Sequence, residues 1–99
     1  MLQIQIFIDE EDHHHDMPLY EHVLRYLLHH NIMGATMFRG VMGFGAHHHL
    51  HAPRKLTASD PLPVMIVFVD EKEKVDAVLP HLREVVAEGL IIASTVERI

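Results

Sequence analysis

Histidine is the residue whose number and spacing could do chemistry in this sequence. Eleven of the 99 residues are histidine. His13, His14 and His15 sit in an acidic run, Asp9-Glu10-Glu11-Asp12-His13-His14-His15-Asp16. His47, His48, His49 and His51 follow the glycine-rich stretch Gly40-Val41-Met42-Gly43-Phe44-Gly45. Imidazole nitrogen ligates borderline metals, and the sequence has no cysteine, so any metal must rely on nitrogen and oxygen donors. If 47–51 is extended, His47, His49 and His51 project to one side, spaced by roughly 6–7 Å. Two such rings can converge on one ion at about 2.0–2.1 Å. Asp12, Asp16, Glu10 or Glu11 can add an oxygen. This donor set suits Zn²⁺, Ni²⁺, Co²⁺ or Cu²⁺. Hard cations disfavour imidazole, and no glycine-spaced acidic calcium loop is present.

Other readings of the same residues stand beside this one. Histidine runs in loops bind metals adventitiously, and free imidazole titrates near pH ~6.5, which would make a pH sensor or simply a solvated loop. His22 and His29 read as the exposed face of a helix, and His81 as surface. The six methionines fall mostly within apolar patterns and read as core packing rather than copper ligands. The glycines carry a separate message. Gly40, Gly43 and Gly45 allow positive φ or close backbone approach, and exposed amides there could cradle an anion. Arg39, Arg54, Lys55 and Arg98 are its candidate cationic partners. The plainer alternative is that these glycines only turn the chain out of a sheet.

The elements that must position these residues follow from periodicity. Leu2, Ile4, Ile6 and Ile8 alternate, predicting a strand over 2–8. Segment 9–16 is too polar to pack and reads as a loop. Asp16 and Pro18 mark a helix start. Tyr20, Val23, Leu24, Leu27 and Leu28 give its apolar stripe, ending near Asn31 with Gly34 in the turn. Residues 35–42 predict a second strand and Pro63 or Val64 to Val69 a third, separated by a long, mobile loop at about 43–61. Asp70 with Glu73 reads as a capping box for a second helix. Val75, Val78, Leu79, Leu82, Val85 and Val86 supply that helix's buried face, with a kink or restart expected at Pro80. Gly89 ends it, and 90–97 forms a last strand.

The order β-α-β-β-α-β predicts an α+β, ferredoxin-like domain spanning 1–99, with a four-stranded antiparallel sheet. Strands one and two run in the same direction, so the 9–16 and 43–61 loops leave one end of the sheet and His29 and His30 lie at the other. Two helices cover one sheet face, yet Val64-Met65-Ile66-Val67-Phe68-Val69 is apolar on both, which predicts self-association through the second. The net charge of -6 argues against a nucleic-acid binder. No apolar run reaches the ~20 residues of a membrane span. The first residues lack a secretory signal's basic segment and long apolar run, so a cytoplasmic protein is expected. No nucleophile–base or metalloprotease signature appears, and an enzyme is not expected.

Pro18-Leu19-Tyr20-Glu21 and Gly34-Ala35-Thr36-Met37-Phe38-Arg39-Gly40-Val41-Met42-Gly43-Phe44-Gly45 resemble the PII-like family catalogued as domain of unknown function 190. Leu50-His51, Asp60-Pro61-Leu62-Pro63-Val64, Val69-Asp70 and Leu79-Pro80 continue the resemblance in order. It implies a homotrimer of ferredoxin folds with a mobile loop after strand two. It further implies ATP, ADP or AMP in a cleft between subunits, with Arg39, Gly40, Gly43, Gly45, Arg54 and Lys55 as candidate contacts. The implied role is signalling to a partner such as a membrane transporter. His51 corresponds to a histidine common in that family, whereas the runs at 13–15 and 47–49 are elaborations of this sequence. A regulatory module responding to metal is therefore the leading expectation, with a metal buffer or chaperone as the alternative.

Overall fold

The computed structural model describes residues 1–45 and 61–99. The strands and helices, in chain order, are β1 (Leu2–Asp9), β2 (His13–His14), β3 (Met17–Pro18), α1 (Leu19–His29), β4 (Ala35–Arg39), β5 (Pro63–Asp70), α2 (Lys72–Val85) and β6 (Leu90–Thr95). The four long strands form one antiparallel sheet in the order β4-β5-β1-β6, with β2 and β3 as a separate hairpin. This is the ferredoxin-like arrangement, with β1 and β5 as the inner strands.

Alternation in β1 buries Ile4, Ile6 and Ile8 on one face, and β5 buries Val64, Ile66 and Phe68 beside them. The register sets Ile4 opposite Phe68 and Ile6 opposite Ile66, so the two strands present one continuous apolar surface. Leu19, Val23 and Leu27 of α1 and Val75, Val78 and Leu82 of α2 close over it. Both helices belong to crossovers of the same hand, which places them side by side on that face.

Several local expectations are corrected. The α1 stripe is rotated by about one residue: Leu19 is buried, Tyr20 is only partly so, and Leu28 is 72% exposed. Pro18 stands at the N-cap rather than in the first turn. At the other end, Asn31 takes φ 60°. The N–H of Ile32 reaches the Leu27 carbonyl and that of Asn31 the Leu28 carbonyl, closing the helix in a Schellman turn. Strand β4 stops at Arg39, short of the expected 42, because the chain turns away against Pro63. The capping box at Asp70 does not form: α2 has Glu71 at its N-cap with no side-chain cap bond. The helix runs unbroken through Pro80, since burial of Val78 and Leu82 on either side holds both turns to the core. Met33 and Met42 are exposed rather than packed, while Met37 does pack on the core. Gly89 is required where α2 returns to β6, because a β-carbon there would stand 2.4 Å from the Phe7 carbonyl oxygen.

Candidate metal centre

The polar 9–16 segment is not an irregular loop. His13 pairs with Pro18 and His14 with Met17, which makes a two-residue hairpin turn of His15 and Asp16. His15 adopts φ 54° there, the left-handed conformation that tight hairpin turns demand. The Asp9 N–H donates to Asp12 Oδ2 at 3.0 Å, and the Leu19 N–H to the Asp12 carbonyl at 2.8 Å. Asp12 therefore works as a structural brace at the hairpin base. His13 turns back locally, its Nδ1 donating to the Glu11 carbonyl at 2.6 Å. His15 and Asp16 are exposed.

His14 goes elsewhere. Its ring packs on that of His22 of α1, with centroids 3.9 Å apart, and lies 6.4 Å from that of His81 of α2. His22 Nε2 and His81 Nε2 are 2.8 Å apart, one donating and the other accepting according to tautomer. Tyr26 stacks on His81 at 4.3 Å and on His30 at 4.0 Å. A column of rings thus follows the seam between the two helices, built by the four-residue spacing of His22, Tyr26 and His30. His14, His22 and His81 are all half-buried. Burial lowers the pKa of His22, and the neighbouring His14, His81 and His15 add to the effect because each would repel a second positive charge. The exposed-helix reading of His22 and the surface reading of His81 are therefore corrected. The signal was present in the sequence: His22 lies one position before buried Val23, on the stripe bordering the core rather than opposite it.

Glu10 fixes the hairpin to the rest of the sheet end. Arg39 grips it with Nε–Oε2 at 2.6 Å and Nη2–Oε1 at 2.9 Å. The Leu62 N–H donates to Glu10 Oε1 at 3.2 Å, and the Glu10 N–H to the Leu62 carbonyl at 3.0 Å. The Arg39 hydrogen bond holds the Glu10 carboxyl below its usual range, against partial desolvation and with help from the Arg39 charge and the Leu62 amide. One side chain of the first histidine-bearing segment thus holds both stems of the chain that carries the second.

His47, His48, His49, His51, Arg54 and Lys55 lie outside the described residues. Of the other anion candidates, Arg39 is engaged by Glu10. Gly40 donates its N–H to the Pro63 carbonyl at 2.7 Å, and a β-carbon on it would stand 2.9 Å from Pro63 Cγ. Gly43 approaches the same ring, and no glycine has positive φ. Close approach, not left-handed backbone, explains these two glycines. Gly45 lines a cavity of about 460 Å³ at the same sheet end, with Phe7, Phe44, Pro63 and Leu90 as apolar walls and Asp9, Asp12 and Glu88 as carboxylates.

Among the described residues, no three His, Asp or Glu side chains already stand at metal-ligand spacing, and no helix is long and apolar enough to cross a membrane. The family model described as "Uncharacterized ACR, COG1993" (DUF190) matches residues 1–98. The chain is 34% identical over 96 residues to the UPF0166 protein MJ1524 of Methanocaldococcus jannaschii, a match covering 90% of this chain and 82% of the relative. It is 28% identical over 94 residues to a UPF0166 protein of Aquifex aeolicus, covering 95% and 89% respectively. Matched over nearly its whole length, the chain belongs to the DUF190 family.

Proposed function

We propose that this protein is a PII-like regulatory module that binds transition-metal ions through its histidine-rich segments and signals to a partner such as a membrane transporter. The observation that carries the reading is the Glu10 clasp. The segment bearing His13–His15 is tied through Glu10 to Arg39, where the chain leaves β4, and to Leu62, where it enters β5. A ligand that repositions the first segment is thereby coupled to the second, and differential affinity for two arrangements is what a switch requires. The metal is of the Zn²⁺, Ni²⁺, Co²⁺ or Cu²⁺ class, since nitrogen and carboxylate are the donors on offer. The working form is a homotrimer in the cytoplasm, with the uncovered sheet face turned inward. ATP, ADP or AMP is the second ligand that the PII-like reading implies.

Calorimetric titration of the native assembly with each metal, alone and with each nucleotide, tests this. The expected result is a small fixed number of ions per subunit, together with protection of residues 43–61 from proteolysis. Many ions of graded affinity with unchanged cleavage would instead make the protein a metal buffer or chaperone. No binding at all would remove metal from the function.

A further inference from the structure

We propose that His14, His22 and His81 form a transition-metal site in the seam between the hairpin, α1 and α2. This rests on the transition-metal reading above, and it moves tight binding from the histidine runs in the sequence to a place where three separate elements each supply one imidazole.

Three observations support it. His22 and His81 already bring their Nε2 atoms to 2.8 Å. Two nitrogens bound to one tetrahedral ion at 2.0–2.1 Å stand about 3.3 Å apart. An entering ion needs this pair to open by about half an ångström and both rings to turn so that their Nε2 lone pairs converge on it, the donating ring first moving its proton to Nδ1. His14 lies over His22 with ring centroids 3.9 Å apart, and rotation of its side chain on the two-stranded hairpin is the largest adjustment required. The hairpin is the smallest element of the fold and is joined to the sheet chiefly through Asp12 and Glu10, so it is the part best able to make that adjustment.

The surroundings suit ligation. All three rings are half-buried, which limits competition from water without sealing the entrance. Tyr26, stacked on His81 and itself stacked by His30, fixes the orientation of the His81 ring. Three imidazoles leave a fourth position for water or for His15, whose ring is 4.3 Å from that of His14. An all-nitrogen set favours Cu²⁺, Ni²⁺ and Zn²⁺ over Mg²⁺ or Ca²⁺.

The arrangement has a consequence for the switch. Metal at this site would pin the hairpin to both helices, and the same hairpin carries the chain from Glu10. Occupancy would then be relayed to Arg39 and Leu62 without any ion touching the second histidine run.

The test compares Ni²⁺ and Zn²⁺ binding to the full-length protein, to His22→Gln, to His81→Gln and to a variant with His47, His49 and His51 all changed to Ala. Thermal melts without metal establish that each variant folds. The expected result is that tight binding survives the triple change and weakens by at least about 100-fold in each single variant, more than loss of a residue that merely supports a ligand costs. The ring nitrogens of the wild-type protein, followed by NMR during Zn²⁺ addition, give a readout that needs no variant. Shifts at His14, His22 and His81 support the site; shifts confined to His47, His49 and His51 overturn it. Binding that vanishes only in the triple variant sinks this site while leaving a metal-binding protein. Wild-type protein that binds neither ion sinks both.

Discussion

Asp70 is the buried polar side chain among the described residues, 3% exposed at the end of β5. Its Oδ2 accepts the Met33 N–H at 2.8 Å and its Oδ1 the Glu71 N–H at 2.8 Å, while Lys74 Nζ lies 3.2 Å away. Desolvation is the largest single influence on this carboxyl and pushes its pKa up. The two amides and the Lys74 ammonium together outweigh it, leaving the pKa below the ordinary 3.8. A folded-state pKa below the unfolded one means the ionised form contributes stability above the unfolded value, and that contribution disappears as pH falls through the folded value. Asp70→Asn removes the charge and leaves one donor badly matched, so it should cost about 1–3 kcal/mol at pH 7. Urea titrations at pH 7 and pH 3 check this: the gap between wild type and variant should narrow in acid. An equal gap at both pH values would show that shape rather than charge matters at this position.

At the scale of elements, the Glu10 clasp is a joint between segments more than a source of stability. Its ion pair is partly exposed, with 37% of the Arg39 side chain and 22% of the Glu10 side chain accessible, and solvent-screened pairs of this kind contribute little to stability. Arg39→Ala should therefore shift the unfolding midpoint little while speeding proteolytic cleavage within 46–60. Cleavage at the wild-type rate would mean that the clasp does not couple the two segments. The long elements were legible from periodicity because burial enforces it: alternation of Ile4, Ile6 and Ile8 found β1, and Val75, Val78 and Leu82 found the inner face of α2. The hairpin was not legible, because His13–His14 and Met17–Pro18 show no apolar alternation and pair through the backbone, which leaves no side-chain pattern in the sequence. Two of the three histidines in the seam were missed for a related reason. His22 and His81 are 59 residues apart and acquire a shared role only when two crossovers set α1 beside α2. Clustering along the chain drew attention to His47–His51, whereas the described geometry assembles histidines by topology.

At the scale of the molecule, the sheet is finished on one side only. The helices cover the face of Ile4, Ile6, Ile66 and Phe68. On the reverse, Phe7 is 39% exposed, Phe38 51%, Leu90 56% and Ile92 41%. The register gathers them: Phe7 lies opposite both Met65 and Leu90, and Phe38 opposite Met65. A contiguous apolar surface of this kind is the usual mark of an interaction site on a protein that is otherwise water-facing. Each large apolar side chain buried there is worth about 1.5–3 kcal/mol, and a carboxylate in its place would be buried unpaired. The proposed trimer uses this face, so Phe7→Asp combined with Phe38→Asp should convert an assembly into monomers in sedimentation velocity. The helix-side core, which neither residue enters, should keep the far-UV circular dichroism of the variant close to wild type. His22→Gln, on the opposite side of the sheet, should leave the assembly intact, separating the metal seam from the association face. Wild-type protein that sediments as a monomer would remove self-association from this face and leave the apolar surface for a different partner.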